Sequence, residues 1–582
     1  MTDSIIYFYA TYLFVPNLIL VLWVIYLIVF GSRNKALYTI LLIGLTFLIK
    51  LPGFYYNSYS VDETGWIACV RSLRDHFDPY INVDPTTSGI GALIPLYLFS
   101  LLFHLDYFSI RIFETMMDLA TLHFTYKILL SRLGNNKRLL YVGLILLYSV
   151  LNLSFMREFD TYNTEHFCIF IFSVLLFILI SLYLKQSESN GQITSRNTHI
   201  YIAIAGLLFG FSLFVKLQNL PVMFILFVFY LVFLLSKRPF VQTILFVIYC
   251  MVPLLFWFLF FLYNGALHDF YVRYLLTNFE YAENGVKNTK IGLSFRSIIE
   301  HSSFVFVEVF SIVFLTFCVL FLANLRRILK GLKSIWPFSF KKFDGQLLSY
   351  KLMILFILIL AATFFEIVKT KNFFIHYYLL LYQPLILFFV CIARLGVKKW
   401  VLASIVMINS LFICGKNYVY AAKDINNIPK YVPFKDMQYQ CHFKSIFEAN
   451  SKYQNEANQL DSVITNTNCD NKYIIVWGPD IHILAYGNFI SAYRDIWNGG
   501  HWAQHESLLR SYYIHDFLSD IKKNSRGGKL VLIDQPNDGT IASSSSFSAF
   551  VNENNLAGNF KSIHLIKSYQ GYAFYAIELN NG

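Results

Sequence analysis

The chain is a series of long apolar runs separated by short polar connections. An apolar run of about 17–25 residues is long enough to cross a bilayer as a helix, with its backbone hydrogen bonds satisfied internally. The pattern therefore predicts a polytopic α-helical membrane protein with about twelve transmembrane helices. These runs lie near 5–30, 37–54, 108–131, 139–155, 164–184, 199–215, 219–235, 240–263, 302–324, 351–368, 373–393 and 399–415.

The basic residues collect in every second connection, and this alternation predicts the orientation. Short cytoplasmic loops carry an excess of Lys and Arg. The connections that this rule makes cytoplasmic contain Arg33/Lys35, Arg132/Lys137/Arg138, Lys185/Arg196, Lys237/Arg238, the stretch from Arg326 to Lys351, and Arg394/Lys398/Lys399. The extracytoplasmic parts are then the N-terminus, the loops 55–107, 156–163 and 264–301, and everything after residue 416.

One further apolar run, 90–104, does not fit this count as a full span. Counting it would place the basic loop 132–138 outside, and the run is short and contains Pro95. We expect a helix lying in the outer membrane interface. The alternative is a short, kinked span.

Residues 416–582 differ in pattern from the rest of the chain. Polar Asn, Lys and Ser become common, and strand-like runs occur at Tyr473–Trp477 and Lys529–Asp534. A hairpin is predicted around Gln570-Gly571, and helical patterns lie near 503–523 and 545–555. The sequence thus predicts a transmembrane domain over 1–415 and an extracytoplasmic α/β domain over 416–582.

The composition agrees with a membrane protein and argues against a soluble enzyme. The chain is 56% hydrophobic and 14% charged. Its net charge of +12 lies in the connections, so no basic domain for nucleic acid is predicted. No cleavable signal peptide is evident. The eight cysteines form no CxxC or zinc-type spacing, and a Cys441–Cys469 disulfide is left open.

Polar residues with chemical potential lie at the outer ends of the predicted spans. A carboxylate near the hydrocarbon boundary is costly to dehydrate, so it usually has a partner or a function. Together the acidic and basic groups could line an outward-facing cavity suited to proton abstraction or metal binding and to phosphate binding. Alternatively, each caps a helix end or extends to the interface. The candidates are Asp62, Glu63, Asp160, Glu165, Lys216, Arg273 and His376.

Several segments in order resemble one family. YSVDETGWIACVRSLRDHFDPY (59–80) is similar to the first external loop of the GT-C superfamily of membrane glycosyltransferases, within the branch of the protein O-mannosyltransferases and the aminoarabinose (lipid A) transferases. Supporting segments are FDTYNTEHF, FVKLQNLP, NGALHDFYVRYLLTNFEYA, FFIHYYLLLYQP and IIVWGPDIHILAYGN. The pattern covers nearly the whole chain with matching topology.

The resemblance implies a transferase that moves a sugar from a polyprenyl-phosphate donor to a glycan, lipid or protein acceptor, with inversion, on the extracytoplasmic face of a bacterial inner membrane. By this resemblance Asp62 would be the general base and Glu63 its support. Asp160 and Glu165 would form a second acidic site. The donor phosphate would be bound by Lys216, Arg273 and His376.

The chain departs from the family in two respects. An extra span precedes the loop with Asp62, which indicates a divergent branch. Loop 264–301 lacks an obvious metal set, so no metal site is predicted, although a divalent cation is possible. The rival functions are a multi-pass transporter or flippase, a polysaccharide polymerase or ligase, and a non-catalytic assembly protein. A transporter usually has two related halves, which this sequence lacks.

Overall fold

The structure is a computed structural model that describes a little more than half of the chain. We limit the description to residues 50, 61–133, 161–188, 196–237, 240–284, 345–369, 377, 379–393, 455, 457–463, 473–478, 481–487, 489–496, 509–526, 528–535, 546–569 and 572–580.

The described part is mostly helical. In chain order the helices are α1 (Val61–Asp75), α2 (Ile90–Leu102), α3 (Tyr107–Leu133), α4 (Thr164–Glu188), α5 (Arg196–Ser212), α6 (Leu220–Lys237), α7 (Phe240–Tyr263), α8 (Thr277–Asn284), α9 (Gly345–Lys369), α10 (Leu379–Ala393), α11 (His482–Tyr486), α12 (Arg510–Ser525) and α13 (Phe547–Glu553). A 3₁₀ turn, Leu217–Asn219, precedes α6, a short helical turn, Leu267–Asp269, follows α7, and a π-helix, Phe270–Leu276, leads into α8.

The chain forms two compact units, each built from separate parts of the sequence. Unit 1 consists of Met1–Gly53, Arg111–Leu259 and Glu280–Phe443. Unit 2 consists of Phe54–Ile110, Phe260–Phe279 and Lys444–Gly582. The predicted boundary at residue 415 lies outside the described residues and stays a prediction.

Within the described residues, three helical segments are long and apolar enough to cross a membrane. These are Thr164–Leu184, Leu217–Ser236 and Phe240–Tyr263, and a fourth is possible if the bent pair Ile90–Leu102 and Tyr107–Ile128 is one span. Only 22% of the most apolar window of Phe240–Tyr263 is buried, so this helix presents an apolar surface that suits lipid. The total of about twelve spans stays a prediction, because runs such as 5–30 and 399–415 lie outside the described part.

Close packing of two unit 1 helices depends on small residues. A Cβ at Gly206 of α5 would lie 2.5 Å from Tyr249 Cβ of α7, and one at Gly210 would lie 2.1 Å from the Cys250 carbonyl oxygen. These glycines are four residues apart and therefore lie on one helix face. Such spacing of small residues lets membrane helices approach closely.

Unit 2 contains a five-stranded mixed sheet. The strands are β1 (Tyr473–Trp477), β2 (Ile490–Ser491), β3 (Lys529–Asp534), β4 (Phe560–Tyr569) and β5 (Tyr572–Leu579), in the order β2-β1-β3-β5-β4. β1 is parallel to both β2 and β3, whereas β5 is antiparallel to β3 and β4. The strands predicted at Tyr473–Trp477 and Lys529–Asp534 are confirmed with the same bounds.

The core of the sheet explains why these runs form strands. All five residues of β1 are buried, as are five of the six in β3. Continuous apolar runs are typical of strands covered on both faces. Trp477 packs against Phe517, Phe547 and Phe550, with the Phe550 ring centroid 4.4 Å away.

The helix predicted at 90–104 is present as α2. Its apolar end is exposed, with Leu102 80% and Leu98 55% accessible, which suits a helix in contact with lipid. Its placement in the interface stays a prediction, as does the side of the membrane on which the sheet lies.

Candidate functional site

Unit 1 brings together two of the predicted site residues, Lys216 and Glu165. Lys216 precedes the 3₁₀ turn at the start of α6, and Glu165 lies in the first turn of α4. The Lys216 ammonium forms an ion pair with the Glu165 carboxylate and donates to Thr164 Oγ1 at 3.2 Å. The ammonium also lies 4.9 Å from the centroid of the Tyr377 ring. Both charges are buried, and the pairing offsets the cost of removing them from water.

A second buried cluster in unit 1 was not predicted from the sequence. Glu114 and Asp118 are four residues apart on α3, and His166 of α4 faces them. His166 Nδ1 lies 2.8 Å from Asp118 Oδ1, and Lys50 Nζ donates to Asp118 Oδ2 at 2.8 Å and also to Glu114. Four charged or titratable groups thus meet in one buried place.

The cluster has the ligand types of a divalent cation site. One ligand atom each from Glu114, Asp118 and His166 lie within 4.8 Å of one another. Carboxylate oxygens and an imidazole suit transition metals such as Zn²⁺. However, the Lys50 ammonium contacts both carboxylates, so the protein already supplies a cation there. The residues fit a metal by type and spacing only if Lys50 moves away.

The acidic pair Asp62-Glu63 lies in the first turn of α1, in unit 2. Glu63 is fully buried, whereas Asp62 is half-buried. Acidic groups in the first helical turn are favoured by the positive end of the helix dipole. Asp62 therefore has the accessibility that a proton acceptor needs, and Glu63 belongs to the packed interior.

Arg273, in the π-helix of unit 2, is bound by carboxylates in the structure. Its terminal nitrogens donate to Asp84 Oδ2 at 2.7 Å and to Asp516 Oδ2 at 2.5 Å. The rings of Tyr512 and Tyr513 lie against the guanidinium, with centroids 5.4 and 4.8 Å from its Cζ. This environment is that of a buried structural ion pair.

Arg494 extends the same network. Its Nη2 donates to Asp520 at 2.6 Å, and its Nη1 lies 3.1 Å from Asp269 and 3.4 Å from Asp516. Burial opposes ionisation of Asp516, but the charges of Arg494 and Arg273 outweigh it and lower the pKa of this carboxyl. Burial also opposes the charge of Arg273, yet Asp84 and Asp516 raise its pKa well above the usual value. Asp516 and Arg273 are therefore both charged at neutral pH.

Asp160 and His376 lie outside the described residues, so their placement stays a prediction. Of the others, Glu165 and Lys216 contact each other in unit 1, and Asp62, Glu63 and Arg273 belong to unit 2.

The residues that the sequence analysis missed left a recognisable signal. Glu114 and Asp118 are two acids at a spacing of four inside the apolar run 108–131, and that spacing places them on one helix face. Buried charges in such a run require a partner. Lys50, at the end of the run 37–54, and His166 are those partners, but only the packing brings them together.

No protein-family model and no curated protein matches the sequence. Among solved structures, the chain is similar to ArnT from Cupriavidus metallidurans bound to undecaprenyl phosphate, with a TM-score of 0.56 and 9% identity over 93% of this chain and 98% of ArnT. The apo state of the same ArnT gives a TM-score of 0.45 at 9% identity, with 93% and 97% covered.

An oligosaccharyltransferase from Archaeoglobus fulgidus, tethered with an acceptor peptide, gives a TM-score of 0.45 at 11% identity, covering 93% of this chain and 74% of that enzyme. Identities this low establish a fold and not an activity. The chain therefore has the fold of ArnT, an aminoarabinose transferase of the GT-C superfamily, as the resemblance of its sequence predicted.

Proposed function

We propose that this protein is a membrane glycosyltransferase that moves a sugar from a polyprenyl-phosphate donor to an acceptor hydroxyl or phosphate on the extracytoplasmic face. The observation that carries the proposal is the ArnT fold over 93% of the chain. That solved ArnT is bound to undecaprenyl phosphate, a lipid whose sugar-linked form is the donor class proposed here. Asp62 is half-buried in unit 2 and Lys216 is buried in unit 1, and we give each the role that the resemblance of the sequence implies.

In the proposed reaction, the acceptor oxygen attacks the anomeric carbon from the face opposite the phosphate. The carbon–oxygen bond to the lipid phosphate breaks, its electron pair stays on the phosphate oxygen, and the configuration inverts. Asp62 accepts the proton of the acceptor hydroxyl as general base. Glu63 keeps its predicted supporting role, and Asp160 remains a candidate of the second acidic site.

Lys216 is the proposed ligand of the donor phosphate. Charge accumulates on the leaving phosphate as the bond breaks, and a cation already fixed in a dry site stabilises that charge without reorganisation. Glu165 neutralises Lys216 in the structure, so a phosphate would share or replace this carboxylate as counter-ion. His376 stays a candidate phosphate ligand, whereas we assign Arg273 a structural role because Asp84 and Asp516 already bind its terminal nitrogens.

No step is assigned to a metal ion. Glu114, Asp118 and His166 are the residues that would hold one. A divalent cation there would supply Lewis-acid polarisation of an oxygen. Lys50 already neutralises these carboxylates.

The test measures sugar transfer by the purified protein, reconstituted in nanodiscs. The donor and the acceptor come from membranes of cells that lack this protein, to which the nanodiscs are added. Mass spectrometry of lipid-linked sugars and surface glycans should record consumption of one lipid-linked sugar and its appearance on an acceptor. Asp62→Asn should lower the rate at least about 100-fold, the size of a general-base contribution. Lys216→Met should weaken binding of undecaprenyl phosphate, whereas the exposed Lys127→Met should not.

An unchanged rate in the Asp62→Asn protein would rule out the assigned base. Movement of a solute across liposomes without chemical turnover would establish the transporter instead.

A further inference from the structure

One face of α1 is bound along its length to a distant part of the chain. Thr64, Ala68, Arg71 and Asp75 follow the spacing i, i+4, i+7, i+11, so they lie on one stripe of the helix. The three polar members of this stripe each contact the segment 473–487, which is about 400 residues later in the sequence and, like α1, part of unit 2.

The first contact holds the turn that carries Asp62 and Glu63. Thr64 Oγ1 lies 2.7 Å from His482 Nδ1 and 2.7 Å from the Tyr107 hydroxyl, and that hydroxyl lies 3.2 Å from the same imidazole nitrogen. All three side chains are buried. Hydrogen bonds in a buried network cost more to break than exposed ones, because the freed groups lose their partners without gaining water.

The other two contacts hold the remainder of the helix. Arg71 Nη1 donates to the carbonyl oxygens of Leu484 at 2.6 Å and Gly487 at 2.5 Å, at the C-terminal end of α11. Its Nη2 donates to the carbonyl of Ala485 at 3.2 Å. The Tyr473 hydroxyl donates to Asp75 Oδ2 at 2.5 Å. A cation is favoured at the carbonyl end of a helix, so Arg71 of α1 also stabilises the end of α11.

This attachment leaves Asp62 on the other side of the helix. Two residues correspond to about 200° of rotation at 3.6 residues per turn, so Asp62 lies nearly opposite Thr64. Asp62 is half-buried, whereas Thr64 and Ala68 on the opposite face are fully buried. The stripe can therefore fix the orientation of α1 without covering the carboxylate.

We propose that His482 is a positioning residue for the transfer reaction: through Thr64 it fixes the first turn of α1 and thereby the direction of the Asp62 carboxylate. The inference rests on the proposed function, in which Asp62 is the base. A displacement of about 1 Å at a reacting group can cost about 100-fold in rate. Substrate affinity, by contrast, depends on groups elsewhere.

The test measures kcat and KM with titrated lipid-linked sugar for His482→Phe, His482→Asn and Thr64→Val. His482→Phe keeps a ring but removes the hydrogen bond, and should lower kcat about 10- to 100-fold with KM within about 2-fold. His482→Asn places a polar atom near Nδ1 and should restore most of kcat. Thr64→Val should lower kcat as His482→Phe does, and the double variant should lose no more, because both remove one interaction.

The exposed His564 provides a matched control, since His564→Phe removes a histidine of unit 2 outside this network. Melting temperatures of all variants distinguish a loss of folding from a displacement of the Asp62 carboxylate in a folded protein. If the wild type transfers sugar, the proposed function stands. The inference about His482 would then be overturned by a wild-type kcat in His482→Phe or by additive losses in the double variant. Absence of transfer by the wild type, or a wild-type rate in Asp62→Asn, would overturn the proposed function and the inference with it.

Discussion

At the residue scale, Lys50 is the group that decides whether unit 1 can hold a metal ion. Its ammonium contacts both carboxylates of Glu114 and Asp118, which His166 also faces. Removing one partner of a buried ion pair leaves uncompensated charge and costs about 3–5 kcal/mol. The remaining acidic pair and imidazole would then need another cation.

We therefore predict that Lys50→Met lowers the melting temperature in the presence of a chelator and that Zn²⁺ restores part of the loss. The variant should retain about one equivalent of zinc after dialysis, measured by elemental analysis, because three ligands of suitable type remain. Lys127→Met, which removes an exposed lysine of the same helix as Glu114, should bind none. Equal zinc content in Lys50→Met and in the wild type would contradict this account of the cluster.

At the element scale, Asp534 at the end of β3 binds the first residue of α13. Both carboxylate oxygens accept the Phe547 backbone N–H, at 3.2 and 3.1 Å. Burial raises the pKa of Asp534 from 3.8 to about 6, and the hydrogen bond from Phe547 offsets only part of that rise. The folded protein thus favours the protonated carboxyl more than the unfolded chain does.

The raised pKa of Asp534 makes the stability of the fold depend on pH. Well below pH 3.8 the group is neutral in both states and costs nothing, whereas stability is lost as the pH rises from about 3.8 through about 6. Asp534→Asn keeps an acceptor without the charge, so it should raise the melting temperature about 2–4 °C at pH 8 and change it much less at pH 4. Asp461→Asn, at an exposed position, is the control. A shift of the same size at both pH values would contradict burial as the cause.

The strands β1 and β3 were predictable because the residue pattern within each of them is typical of a buried strand. Tyr473–Trp477 and the segment 530–533 are uninterrupted runs of β-branched, aromatic and aliphatic residues, and both are buried in strands. The hydrogen-bond partners were not predictable. That β1 lies between β2 and β3, and that β5 separates β3 from β4, depends on contacts distant in sequence.

At the scale of the whole molecule, the basic connections predict which side of the membrane each part occupies. Alkaline phosphatase fused to residue 582 should be active in cells, because the enzyme works only outside the cytoplasm and residue 582 is predicted there. Fusion after Lys398, in a predicted cytoplasmic connection, should be inactive. An inactive fusion at 582 would invert the topology and exclude an extracytoplasmic reaction.

By itself, the sequence determined the class of the protein, the resemblance to the GT-C superfamily and the presence of charged candidates at the ends of apolar runs. The class and the charged candidates follow from composition and from periodicity within single elements, which need no knowledge of neighbours. The resemblance depends on an ordered set of segments that begins with 59–80. Only the tertiary structure decided which polar and charged groups meet. Lys216 with Glu165, Arg273 with Asp84 and Asp516, and Thr64 with His482 are pairings that packing alone creates. Burial makes each partner necessary, and a one-dimensional pattern does not say which of several distant residues supplies it.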